Sequence, residues 1–412
     1  MVRSFMVATH ISKLIAMQAL GPMLLRGAIV GINFAVMIGL AANLGLAAFG
    51  DLAVIWGAAL VAAPIISVGG PLLMLRALTD GGGMSVSAVL FQMTIIPAAL
   101  AVLSGMIATA IWPTMTWLPI LLCAFWINFV TCLASVMRAL GSVNLSMALR
   151  DCSPQIALGV AAVFMRDGPI LVVAALGMGC IALPLSIWMF RSAERRNIIG
   201  RCHAAPAPSL SLWGTSVLGV GLAQIDIFVG GALLSPTQIG LYAVLRRVAN
   251  LVALPVSVAT WVSAKDISKS YGAGDTIALQ AASRAASAIA FFAAFSLFLC
   301  GLISLAWVAR DGQLVFFVLL CCAFIQAVFA SGLMVATLCG LAQFAALTRG
   351  FSILFYSGCT VFVVGPVSNA MAYLLATSLG SLALWAIVRQ QRHIDTSAWF
   401  LRTRPEAQWK PS

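Results

Sequence analysis

Three ionisable residues stand where an apolar chain has little use for them. Asp226, Arg246 and Arg247 lie in AQIDIFVGGALLSPTQIGLYAVLRRVANLVALP, residues 223 to 255, inside two segments otherwise suited to lipid. An arginine or aspartate at the centre of a spanning helix costs about 2.5 to 3.5 kcal/mol on insertion scales, so such residues face a cavity or each other and mark a pathway. Guanidinium groups match phosphate oxygens with paired N–H donors, so Arg246 and Arg247 suit an anionic headgroup. Asp226 suits a role in orienting the arginines or in taking up a coupling proton or sodium ion. Asp51, Asp151, Asp167 and Asp311 all fall near span ends, which leaves Asp226 as the carboxylate clearly within the membrane.

The turn between the two segments is centred near Pro236 and Thr237, which sets residue 226 opposite residue 247 in an antiparallel helix pair. Both then lie roughly 12 to 14 Å below the outer boundary, at 1.5 Å per residue. Arg246 points about 100° away from Arg247, so one carboxylate cannot meet both in the same way. Asn250, four residues past Arg246, extends a polar face, and Gln224 adds polarity beside Asp226. Two readings stay open. Asp226 and Arg247 form a buried pair that fixes the helices while Arg246 reaches an interface, or the surplus cation lines a water-filled substrate cavity. Arg26 and Asn33, seven residues apart on the first span, share a face and are weaker substrate-binding candidates; Arg26 is also placed to reach the interface. Asn128 and Gln326 read as interhelical hydrogen-bonding residues, and Gly27 with Gly31 as a GxxxG packing device.

The elements that must carry these residues follow from composition. With 62% hydrophobic and 8% charged residues and a mean hydropathy of +1.07, the chain is an integral membrane protein. Apolar runs of about 20 residues recur, the length that crosses the hydrocarbon core as a helix. They predict twelve spans: 18–42, 49–75, 86–111, 117–137, 143–165, 169–190, 212–234, 238–263, 284–308, 313–338, 343–365 and 367–388. Strand alternation is absent, which excludes a barrel. Lys and Arg gather in alternate connections, which places both termini in the cytoplasm and accounts for the net charge of +12 without a nucleic-acid partner. The ten cysteines form no CxxC, and His10, His203 and His393 fall outside the spans, so no metal site and no cofactor is expected. Gly81 to Gly83 lack a following GK[ST], so no nucleotide loop is expected. The outer loops are too short to hold a catalytic acid, base and nucleophile, which argues against an enzyme such as a polysaccharide polymerase or sugar transferase.

Four regions result: an N-terminal six-helix bundle at 1–190, a polar cytoplasmic linker at 191–211, a C-terminal six-helix bundle at 212–390, and a basic amphipathic tail at 391–412 lying along the inner membrane surface. An offset of 190 residues aligns Phe49 to Val54 with Ile239 to Val244, Gly31 with Gly221 and Ser67 with Ser257, as a parallel repeat requires. Gly50 and Gly240 are expected to serve tight turns at the mouths of the second and eighth spans. The charge has no counterpart in the first half: Asp226 aligns with Val36, and Arg246 and Arg247 with Trp56 and Gly57.

The run QIDIFVGGALLSPTQIGLYAVLRRVANLVALPVSV, followed by KDISKSYGAGD, resembles the seventh and eighth helix region of Wzx-type polysaccharide flippases of the MOP superfamily. LRGAIVGINFAVMIGLAANLGLAAFGDLAVIWGA is similar to that family's first two helices, whereas 86–190 and 284 onward match in hydropathy alone. Many relatives carry an arginine where this chain has Asn43, so no basic role transfers there. The resemblance implies a MATE-like fold of two six-helix bundles around a cavity. It also implies alternating access that carries polyprenyl-diphosphate-linked oligosaccharide across the bacterial inner membrane, with lipids and polysaccharide-synthesis proteins as partners. A cation-coupled exporter of the multidrug and toxin extrusion type, using Asp226, shares this fold, and a transport-inactive scaffold would share it too.

Overall fold

The computed structural model describes residues 24–79, 85–111, 117–165, 169–195 and 210–398. The described residues form helices joined by turns, with no strand among them. The polar core of the expected linker, 196–209, the glycines at 81–83 and the tail residues 399–412 lie outside them. Among the described residues, ten helices are long and apolar enough to cross a membrane. Two further helices stand where spans are expected, at Val143–Phe164 and Ala342–Cys359. Arg150, Asp151 and Gln155 lower the hydropathy of the first, and Gln343 and Arg349 that of the second.

The chain divides into two compact units, one of Ile29–Gly231 with Ser235–Gly240, the other of Leu241–Ser412 with Ala232–Leu234 and Met1–Ala28. In the first unit the helices are α1 (Leu24–Leu44), α2 (Leu46–Ser67), α3 (Gly70–Thr79), α4 (Val86–Leu90), α5 (Ile96–Ile111), α6 (Trp117–Ala139), α7 (Val143–Phe164), α8 (Ile170–Arg195) and α9 (Leu210–Leu233). α6 is the hub and packs on α2, α3, α5, α7 and α8. Small residues on it, Ala124, Cys132 and Ala134, are fully buried and let neighbouring backbones approach, which is what drives helix association where lipid removes the hydrophobic term. Phe129, Leu133 and Met137 fill the space against Met74, Met93 and Met189. Val102, Leu103, Met106 and Ile107 of α5 are exposed, as a lipid-facing stripe should be.

The expected span 49–75 is interrupted. Val68 (φ 47°) and Gly69 (φ 77°) are left-handed and end α2, the Ser67 hydroxyl accepts the Gly69 N–H at 3.3 Å, and Gln92 donates to the Ser67 carbonyl at 3.5 Å. Gln92 lies in a π-helical turn, Phe91–Ile95, that joins α4 to α5. Gly69 supplies at no steric cost what Val68 can adopt only under strain.

Gly50 and Gly240 are not turn residues. Both are helical, and each lies against the segment that carries the other: a Cβ on Gly50 would collide with the Pro236 carbonyl oxygen, and a Cβ on Gly240 with the Leu46 carbonyl oxygen. The 190-residue offset maps Leu46 onto Pro236 and Gly50 onto Gly240, so the two contacts are mates of each other. Gly27 and Gly31, expected to pack, have no atom within 4 Å of a Cβ position among the described residues.

The second unit contains α10 (Pro236–Ala249, entering it at Leu241), α11 (Leu254–Gly272), α12 (Thr276–Ser304), α13 (Arg310–Val328), α14 (Gly332–Leu338), α15 (Ala342–Cys359) and α16 (Pro366–Arg392). α11 pairs with α12, α12 with α13, and α16 with both α13 and α15. Two expected spans are broken here. The eighth yields to a 3-10 turn at Asn250–Ala253, because Pro255 has no N–H and its ring crowds the carbonyl four residues back. The tenth stops at Val328 and restarts at Gly332. Polar residues at four-residue spacing line the α15–α16 contact: Thr348, Ser352 and Tyr356 on one helix, Asn369, Tyr373 and Thr377 on the other, all buried. Four-residue spacing stacks side chains on one helix face, so each set forms a stripe.

The segment after α16 departs from expectation. A position along a membrane surface is expected from residue 391, yet α16 runs to Arg392 and Ile394, Asp395, Thr396 and Ser397 are buried within the unit. Hydrogen bonds from Gln280 and Ser287 of α12 hold them there.

Candidate functional site

The break at Asn250 sits directly after the two arginines, and Arg246 lies roughly 15 Å along the helix axis from Pro236, near the depth of a bilayer midplane. A discontinuous helix at that depth exposes unpaired backbone groups and is tolerated where it lines a cavity or is buried in protein. Arg246 is 6% exposed. Its Nη1 donates to Asn250 Oδ1 at 2.8 Å, and its guanidinium carbon lies 4.2 Å over the Tyr373 ring of α16. Tyr373 meets Tyr356 edge-on at 6.3 Å, and the Tyr356 hydroxyl donates to Asn369 Oδ1. Within the unit, the Arg246 cation thereby meets an aromatic face and an amide oxygen.

The expected pair Arg246 and Asn250 is thus brought together. Arg247, one residue on, is half-buried. Asp226 is fully buried on α9 and belongs to the first unit, whereas Arg247 belongs to the second. Gln224 Oε1 lies over Gly57 of α2, and Trp56, beside Gly57, is buried. Trp56 Nε1 and Gln224 Oε1 are buried with no hydrogen-bond partner among the described residues. Asn33 is engaged elsewhere: its Nδ2 donates to the Asp151 carbonyl of α7 at 3.0 Å, and Asp151 holds Arg150 through two bonds of 2.8 and 3.0 Å. Arg26 lies on α1, half-buried.

Tyr356, Asn369 and Tyr373 escape a reading that searches spans for charge. Their signal is the four-residue polar spacing along each helix, which separates a buried polar stripe from scattered polar residues in an apolar average.

No family model matches the chain, and no curated protein matches its sequence. Solved structures do match over nearly the whole length. A crystal structure of MATE in the straight conformation is 14% identical with a TM-score of 0.65, covering 93% of this chain and 96% of that one. An outward-facing multidrug resistance MATE family transporter of the MOP superfamily gives 15% and 0.65 over the same shares. The Vibrio cholerae MATE transporter VcmN in the bent form gives 15% and 0.61, covering 94% of this chain and 98% of that one. The fold is a MATE fold. Within it, the basic constellation of the second unit rests on α10 and α16, and the buried carboxylate on α9.

Proposed function

We propose that this protein is a membrane transporter that moves a polyprenyl-diphosphate-linked oligosaccharide across the bacterial inner membrane by alternating access, with both termini cytoplasmic. The observation that carries the reading is the sign of the charge inside the second unit. Arg246 and Arg247 lie within α10 and Arg349 within α15, whereas Asp266, Asp275, Asp311 and Asp395 sit beyond the crossing stretches or at a helix start. Such an interior favours an anionic headgroup, and the sequence resemblance to Wzx-type flippases points the same way. The headgroup contact is assigned to the adjacent pair Arg246 and Arg247 on α10. Asn250, one turn past Arg246, adds a polar group beside the arginines within the second unit. Polysaccharide-synthesis proteins are the fitting partners.

A second reading has its own support. Asp226 is a fully buried carboxylate on α9, and the structural neighbours include a multidrug resistance transporter, which together fit a proton- or sodium-coupled exporter. Reconstituted vesicles separate the two. Arg247→Ala is expected to slow flipping of a diphosphate-linked lipid sugar roughly 30-fold or more, the loss that follows removal of one partner of a desolvated charge pair. Asp226→Asn is expected to leave flipping intact and to abolish efflux of a cationic dye if the exporter reading holds. Flipping unchanged in Arg247→Ala would remove the anion site.

A further inference from the structure

Beyond α16 the chain turns back into the second unit. His393 adopts a left-handed conformation (φ 53°) at the helix end, and the residues that follow are non-helical and buried. Their partners come from three elements. Gln280 of α12 closes a two-bond ring with the Asp395 backbone, its Nε2 donating to the Asp395 carbonyl at 2.7 Å and its Oε1 accepting the Asp395 N–H at 2.7 Å. Asp395 Oδ1 accepts from Trp385 Nε1 of α16 at 2.9 Å, and from the Ser397 N–H and hydroxyl at 3.0 and 2.7 Å.

The third element is the gap between α13 and α14. The Ala398 N–H donates at 2.8 Å to the carbonyl of Val328, the last residue of α13, which has no partner within its own helix. Ser331, inside the gap, stands 2.8 Å from the hydroxyls of both Ser283 and Ser287, and Ser287 and Ser331 both donate to the Thr396 carbonyl, at 2.8 and 3.2 Å. The segment therefore bridges the break in α13–α14 and ties it to α12 and α16.

We propose that His393–Ala398 is a releasable latch that sets the stiffness of the α13–α14 break. Two features make it releasable rather than a permanent part of the core. Asp395 Oδ2 and Thr396 Oγ1 are buried without a hydrogen-bond partner among the described residues, a cost that water removes when the segment opens. His393 pivots in a backbone region that non-glycine residues adopt under strain, and opening relaxes it. Only the bonds of this segment need break, so α12 and α16 stay folded while the latch opens. With the latch open, the Val328 carbonyl loses the Ala398 donor and the Ser287 and Ser331 hydroxyls lose the Thr396 carbonyl, and α14 is free to move on α13.

Hydrogen exchange followed by mass spectrometry on the full chain in lipid nanodiscs tests this without any transport substrate. Peptides covering 394–398 and 329–331 are expected to exchange by a local opening, well ahead of the centres of α12 and α16. Gln280→Ala is expected to speed both about ten-fold, what the loss of a buried hydrogen bond implies, with the helix centres unchanged. His393→Gly, which removes the backbone strain of the closed form, is expected to slow them. If the segment exchanges only together with the helices, or if His393→Gly leaves its exchange unchanged or speeds it, the segment is a fixed part of the core and the latch is wrong.

Discussion

Gly240→Ala is expected to prevent the protein from accumulating in folded form. The added Cβ would be driven into the Leu46 carbonyl oxygen and against the rest of that peptide unit, so no side-chain rotation relieves it and the start of α2 must move away from α10. Overpacking usually costs about 1 to 3 kcal/mol, and a collision with backbone on both helices belongs at or above the top of that range. Gly50→Ala should behave alike, because its collision with the Pro236 carbonyl is the mate of the first. Gly380→Ala is the informative control. Its Cβ would also meet an oxygen, but that oxygen is the Ser352 hydroxyl, which can rotate away at the cost of one bond to the Thr348 carbonyl, about 1 kcal/mol. Thermal unfolding of the detergent-solubilised variants, read by fluorescence-detected size exclusion, orders them. A Gly240→Ala protein that melts with the wild type would show that the reciprocal crossing does not hold the helices together.

The second large effect is Arg246→Ala. It removes a charged donor from Asn250 Oδ1, worth about 1.5 to 3 kcal/mol, and a desolvated cation from the Tyr373 face, worth about 2 kcal/mol. A loss of about 3.5 to 5 kcal/mol follows, read as a fall in melting point. Arg246→Lys should recover less than half, since an ammonium cannot both lie flat on the ring and reach the amide oxygen. A double-mutant cycle with Tyr373→Leu isolates the contact: coupling below about 0.5 kcal/mol would mean that the stacking is incidental.

The interruptions show how local and non-local information divide. The stop at Ser67 and the 3-10 turn at Asn250 had cues in Gly69 and Pro255, yet a hydropathy average over about 20 residues passes over both, since neither residue is charged. The tail beyond Arg392 read as a surface element because its aromatic and basic residues follow a helix end. What buries Ile394 to Ser397 is the matching polar surface of Gln280, Ser287 and Ser331, which lies far away along the chain. Gly27 and Gly31 have the spacing of a packing motif but no neighbour to pack on among the described residues.

By itself the sequence determined the membrane class, the all-helical build, most helix positions and the identity of the charged residues inside spans. These depend on composition and period along the chain, which a helix in lipid makes nearly sufficient, since every backbone bond is satisfied within the segment. Tertiary structure decided the rest: that Gly50 and Gly240 meet, that Arg246 stacks on Tyr373, that Asn33 bonds to the α7 backbone and that the chain end closes over the α13–α14 break. Each of these turns on the rotation of one helix about its axis relative to another. Packing of small and polar side chains sets that rotation, and no periodicity within a single helix contains it.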